Sequence, residues 1–170
     1  MSTGIYFHIP FCEAKCSYCH FVTRPFNEDL AERYCEAIVR EMKLFFATYP
    51  CPERVDTIYF CGGTPSLVGA EGIGIILEAC RSTLRIDPDS EITLEANPES
   101  ISAAKVDAYR RMGVNRISIG AQSFNERQLD VIGRHHSGDQ IIDCVALLQA
   151  RGFDNLNLDL MLGLPGQNED

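Results

Sequence analysis

The sequence predicts an α/β chain that forms the N-terminal, five-strand portion of a parallel, partial (β/α) barrel. Three observations lead there. Apolar runs of strand length alternate with segments of helical period, the alternation repeats through the chain without an internal linker or low-complexity tract, and each strand pairs an apolar face with a mixed polar one. "GIYFHIP" (4–10) reads as the first strand. Residues 28–46 follow as a helix, with Leu30, Tyr34, Ile38, Met42 and Phe45 at three- to four-residue spacing. "VDTIYFCGG" is a second strand, and the helix after it, from Ala70 to Leu84, has a start weakened by Gly72 and Gly74. "EITLEANP" is the third strand, and residues 102–112 are helical with Gly113 as the stop. "VNRISIGAQS" is the fourth, followed by a short helix ending near Gly133 and a longer one from Asp139 to Ala150. "NLNLDLMLGLPG" is the fifth.

Strands joined by helices in this rhythm are right-handed βαβ units in a parallel sheet. The alternation inside the strands places Tyr6 with His8, Thr93 with Glu95, Ser118 with Gly120 and Gln122, and Asn157 with Asp159, opposite the apolar faces. In a barrel those mixed faces look inward, so Tyr6, Glu95, Gln122 and Asp159 are expected to converge near the strand C-terminal ends, where such barrels place active sites. The alternative is a polar core whose groups satisfy one another. A full barrel has about eight strands. The expectation is therefore a truncated core domain over 1–170, with C-terminal strands and an accessory domain missing.

Composition excludes several classes of function. The chain has 170 residues, 45% hydrophobic and 23% charged, with a formal net charge of -9. Such a charge disfavours phosphate backbones, so no nucleic-acid partner is expected. There is no basic-then-apolar leader and no apolar run near the roughly 20 residues of a membrane span, so the expected location is cytoplasmic. Eight cysteines are present, but five lie scattered in apolar patterns where a reduced Cys acts as a small hydrophobe.

The other three, Cys12, Cys16 and Cys19, form C-x3-C-x2-C directly after the first strand. A closed zinc site takes four ligands and a redox pair takes two. A cubane iron-sulfur cluster with three thiolate ligands keeps one iron open to a small molecule. Two other readings stand beside it: a three-Cys zinc site completed by His8 or His20, and a structural cluster completed by a distant Cys.

C-x3-C-x2-C with Tyr18 before the last Cys resembles the signature of the radical S-adenosylmethionine (radical SAM) superfamily. "YFHIPFC", "GGTPS", "LEANPE", "GAQSF" and "GLPGQ", in this order, further resemble the oxygen-independent coproporphyrinogen III oxidase family and its relatives, the haem chaperones. The resemblance implies that Cys12, Cys16 and Cys19 hold a 4Fe-4S cluster whose open iron chelates S-adenosylmethionine. It places Tyr18 near the adenine or the cluster, Tyr6 on the cofactor site's wall, and Gly62, Gly63 and Thr64 in a glycine-rich turn near the methionine end. It further implies contacts to S-adenosylmethionine from Glu95, Gln122, Arg134 and Asp159, although for Arg134 a solvated cation at a helix end is the alternative. Cys61 alternates inward next to Gly62 and reads as a buried inert thiol, with a place in the site's lining as the alternative, and His20, His135 and His136 read as surface or hydrogen-bonding side chains.

The implied chemistry is one-electron cleavage of the sulfonium, with hydrogen abstraction from a molecule above the barrel mouth. Implied partners are haem or a porphyrinogen, an electron donor such as flavodoxin or ferredoxin, and haem-acceptor proteins, with membrane contact only through an acceptor. In the oxidases the motif continues to C-x3-C-x2-C-x-C, whereas this sequence has Phe21 at the last position. That departure favours the haem-chaperone branch. Porphyrinogen oxidase is second, and a haem-processing radical methyltransferase is third.

Overall fold

The computed structural model describes residues 3–168. Five parallel strands form one sheet in the order β1-β4-β5-β6-β7: β1 Gly4–Ile9, β4 Val55–Gly62, β5 Ile86–Ala96, β6 Arg116–Gln122 and β7 Asn155–Leu160. Between them run α1 Glu28–Thr48, α2 Gly69–Thr83, α3 Ala103–Arg111, α4 Glu126–Val131 and α5 Gly138–Ala150, with 3-10 turns at Pro65–Val68 and Pro98–Ser100. Strands and helices thus follow the order read from the sequence. Neighbouring strands are consecutive in the chain apart from one short excursion after β1, which is the βαβ winding the alternation predicts.

That excursion is a second, two-stranded sheet that no periodicity announces: β2 Phe11–Cys12 and β3 Arg24–Pro25. Arg24 N donates to Pro10 O at 2.7 Å and Phe26 N to Cys12 O at 2.8 Å. These bonds close residues 13–23 into a loop at the C-terminal end of β1.

Helix boundaries follow local chemistry. Asn27 caps α1 through Oδ1, which accepts from Leu30 N at 2.9 Å, and Ser137 with Gln140 forms a reciprocal capping box at α5. Gly113, at φ +86°, follows α3 as expected. The helix after the second strand begins at Gly69 despite Gly72 and Gly74. A Cβ at Gly72 would lie 3.0 Å from Cys35 Sγ and one at Gly74 3.0 Å from Met112 Sδ, so these glycines allow α2 to approach its neighbours closely. β5 starts earlier than its alternation suggests, because Ile86 pairs with Val55 ahead of a register shift.

One face of the sheet is closed by helices. Ile58, Phe60, Leu94, Ile117 and Ile119 are fully buried there with Ile73, Ile76, Leu77, Tyr109 and Leu148. Burying a side chain of this size contributes about 1.5–3 kcal/mol. The fifth strand is less enclosed than its leucines suggest: Leu158 and Leu160 are exposed on β7, one of the two edge strands of the sheet. Among the described residues no helix is long and apolar enough to cross a membrane.

Candidate functional site

The opposite, concave face carries the polar rows. Tyr59 Oη donates to Glu95 Oε1 at 2.9 Å. Ser118 Oγ donates to Asp159 Oδ2 at 3.3 Å, and Asn157 Nδ2 to Asp159 Oδ1 at 2.7 Å. Alternation therefore placed these side chains on the correct face. At the strand C-terminal ends the face opens into a cavity lined by Cys12, Cys16, Cys19, Tyr18, Gly62, Gly63, Thr64, Glu95, Gln122, Arg134 and Asp159.

Tyr6 is the one candidate side chain outside that lining. It is exposed, its hydroxyl lies 3.2 Å from His8 Nδ1, and it pairs in register with Tyr59, which in turn pairs with Thr93, a layer below Glu95. Its phenol nonetheless stands beside the lining, hydrogen-bonded to Cys61 and close to the Glu95 carboxylate.

The cysteine loop is held from several sides. Besides the β2–β3 clamp, Cys19 N donates to Cys16 O at 3.1 Å and Ser17 N to Ile132 O at 3.3 Å, docking the loop on the end of α4. His8 Nε2 lies 2.9 Å from Val22 O. Tyr18 packs toward Leu129, Ile132 and Leu164. Its phenol is pushed up to about 12, chiefly by burial, with Arg134 acting in the opposite direction.

Arg134, whose direction no strand pattern fixed, points inward. Nη1 donates to Cys16 Sγ at 3.7 Å, and Nη2 donates to Asn97 Oδ1 at 2.8 Å and to the Gly120 carbonyl. Asn97 Nδ2 in turn donates to Thr64 Oγ1 at 3.2 Å, and Thr64 Oγ1 to Cys12 Sγ at 3.8 Å. A continuous hydrogen-bonded arc thus runs from Cys12 through Thr64, Asn97 and Arg134 to Cys16. Donors to sulfur favour the thiolate. For Cys12 burial dominates and raises the thiol, with Cys19 and Cys16 adding to it, while Thr64 and Arg134 act to lower it. Asn97 was absent from the sequence-based set. Its only signal was its place within "LEANPE".

Two glycines shape the wall. A Cβ on Gly63 would meet Phe11 O at 2.5 Å, Phe11 N at 2.8 Å and Ile9 O at 2.9 Å, so β2 and this turn are in backbone contact. A Cβ on Gly120 would fall 2.5 Å from Arg134 Nη2. Gln122 is the one non-glycine residue with positive φ among those described, at 65°, where the β6–β7 register shifts. Such a conformation costs on the order of 1–3 kcal/mol and persists only where its surroundings hold it.

Cys61 lies beside the cavity, and burial with the nearby Glu95 carboxylate pushes its thiol up to about 12. Its side chain is buried. His20 and His135 are exposed, while His136 is buried.

The donor set suits a 4Fe-4S cluster with S-adenosylmethionine. Three cysteines free of disulfides share one cavity, which offers the multiple thiolates a cluster requires. Among the described residues no three His, Cys, Asp or Glu side chains are gathered to hold a single metal ion. Arg134 Nε is buried without a hydrogen-bond partner, a donor that an anionic ligand group would satisfy.

The comparisons with known proteins agree with this geometry. Residues 6–170 match the Radical SAM superfamily. The chain is 39% identical over 167 residues to the "Radical S-adenosyl methionine domain-containing protein 1, mitochondrial" of Bos taurus, a match covering 96% of this chain and 37% of that protein. It is 38% identical over 166 residues to the haem chaperone HemW of Escherichia coli, covering 97% of this chain and 44% of the relative. The chain thus spans about two fifths of the length of these relatives. Among solved structures, the coproporphyrinogen III oxidase HemN of Escherichia coli superposes with a TM-score of 0.88 at 28% identity, over 98% of this chain and 38% of that one. A five-stranded parallel sheet, a three-cysteine loop at its C-terminal edge and a match over nearly the whole sequence lead to one conclusion: the chain belongs to the radical SAM superfamily.

Proposed function

We propose that this chain is the cluster- and S-adenosylmethionine-binding core of a haem chaperone. The observation that carries this reading is Phe21, which lines the cavity at the position where the oxidases resembled here have a fourth cysteine. The similarity to proteins named haem chaperones over almost the full chain supports it. Cys12, Cys16 and Cys19 would hold the cluster, with Thr64 and Arg134 donating hydrogen bonds to two of the thiolates. Gly62 and Gly63 line the cavity at the end of β4, with the His8 ring and the backbone of Phe11 packed where a Cβ would stand. Glu95 and Asp159 present carboxylate acceptors suited to ammonium or hydroxyl groups, and Arg134 presents a donor suited to a carboxylate. Tyr18 and Gln122 complete the wall.

When bound, the cluster and S-adenosylmethionine supply one-electron cleavage of a carbon-sulfur bond. The chain's own residues bind, orient and exclude water. Haem, haem-acceptor proteins and an electron donor of the flavodoxin or ferredoxin type belong to this proposal, as does residence in the cytoplasm.

Two assays on the full-length protein under reducing, anaerobic conditions test it. Stoichiometric haem binding without conversion of coproporphyrinogen III is expected. Turnover of coproporphyrinogen III with matching 5'-deoxyadenosine formation would overturn the chaperone reading in favour of the oxidase.

A further inference from the structure

We infer that His136, which is not among the residues lining the cavity, is a positioning residue that sets Gln122 and the Asn97–Arg134 pair for S-adenosylmethionine. Its side chain is fully buried. Nε2 lies 3.1 Å from the carbonyl oxygen of Ala121, the residue before Gln122. A carbonyl only accepts, so the Nε2 nitrogen carries a proton. Nδ1 makes no well-aligned hydrogen bond and lies 3.3 Å from Glu99 Oε2. Burial alone would raise the Glu99 carboxyl, but the His136 ring, a backbone N–H and Arg134 together outweigh it and hold the group below the usual carboxylate range.

The three places this ring joins are each one or two residues behind a cavity side chain. Ala121 precedes Gln122, whose left-handed backbone is also held by Ser123 N donating to the Ala121 carbonyl at 2.8 Å and by Met161 N donating to the Gln122 carbonyl at 2.9 Å. Glu99 follows Asn97 by two positions, and Asn97 accepts from Arg134. His136 itself follows Arg134 by two. One imidazole therefore ties the end of β6, the turn after β5 and the segment after α4 into a single back wall. Without it, the Ala121 carbonyl would keep only the Ser123 N–H, the hold on the unfavourable φ of Gln122 would loosen, and the Arg134 segment would keep its backbone bond to Leu129 O but lose its tie to the other two places.

This inference rests on the reading of the cavity as an S-adenosylmethionine site. The test is calorimetric titration of S-adenosylmethionine into the anaerobically reconstituted full-length protein at matched cluster content. The paramagnetic resonance signal of the reduced cluster is recorded before and after addition. Three variants are compared with the native protein: His136→Leu, His136→Gln, which keeps a donor for the Ala121 carbonyl, and Glu99→Gln, which keeps a neutral partner. His136→Leu is expected to bind S-adenosylmethionine about tenfold or more weakly and to lose the ligand-induced spectral change while keeping its cluster. His136→Gln should recover most of both, and Glu99→Gln should lie between them. Native-like affinity and spectral change in His136→Leu would overturn the inference. Should that variant not fold, native-like behaviour of Glu99→Gln would overturn it, and weakened binding there would support it. A native protein that binds no S-adenosylmethionine would instead overturn the reading of the site itself, and this inference with it.

Discussion

The two faces of the sheet are built from the same strands and end in opposite chemistry. On β5, Ile92, Leu94 and Ala96 are buried toward the helices, while Thr93 and Glu95 face the concave side. On β6, Ile117 and Ile119 are enclosed, while Ser118 and Gly120 line the cavity wall. The helix-covered face gains from contact area and tolerates no polar atom without a partner. The concave face keeps side chains that bond laterally, Tyr59 to Glu95 and Ser118 to Asp159, and therefore holds its shape without a close-packed apolar filling. Stability should reside on the first face and ligand binding on the second.

Substitutions on the two faces should separate accordingly. The largest effect is expected on the covered face, where Phe60→Ala should cost about 3–5 kcal/mol in a denaturant titration, and Leu94→Ala about 2–5 kcal/mol. A loss under 1 kcal/mol at Phe60 would mean that the helix-covered face does not carry the fold. Gly63→Ala joins the faces, because its methyl would strike the backbone of Ile9 and Phe11. It should cost about 1–3 kcal/mol and lower cluster occupancy as well. A variant with full stability but no cluster would show that the turn shapes the site alone. Glu95→Ala and Gln122→Ala should weaken S-adenosylmethionine binding at equal cluster content, with smaller stability losses than Phe60→Ala. Unchanged affinity in both would make the concave face a structural polar network.

The smallest effect concerns pH. The Glu99 carboxyl is lowered in the folded chain, so its contribution is present above the ordinary glutamate value of 4.5 and is lost as pH falls through the folded value. Stability measured from pH 6 downward should therefore fall less steeply in Glu99→Gln than in the native chain. An identical acid limb in the two would remove this carboxylate from the account.

Much of this division was legible in the sequence, because period-two alternation in "EITLEA" and "RISIGAQ" sorts side chains by face without reference to any partner. Three things were not legible, each for a physical reason. Two-residue strands such as Phe11–Cys12 have no period to detect, so the clamp on the cysteine loop was missed. Alternation carries no information on height, so it did not tell that Tyr6 pairs in register with Tyr59 and Thr93, a layer below Glu95. Arg134 and His136 lie between α4 and α5, where no repeat fixes direction, and only tertiary contacts turn one guanidinium toward Cys16 and the imidazole toward Ala121. The family resemblance supplied Arg134, Asn97 was signalled only by its place within "LEANPE", and nothing local supplied His136.

The central claim is that three thiolates at the mouth of the concave face hold a cluster. Iron and sulfide analysis of the anaerobically reconstituted full-length protein and of Cys16→Ala, with paramagnetic resonance of the reduced samples, tests it most directly. The account predicts about four iron and four sulfide per native chain and loss of that cluster in Cys16→Ala, with the fold retained. A single metal ion without sulfide in the native protein, or an intact cluster in Cys16→Ala, would contradict it.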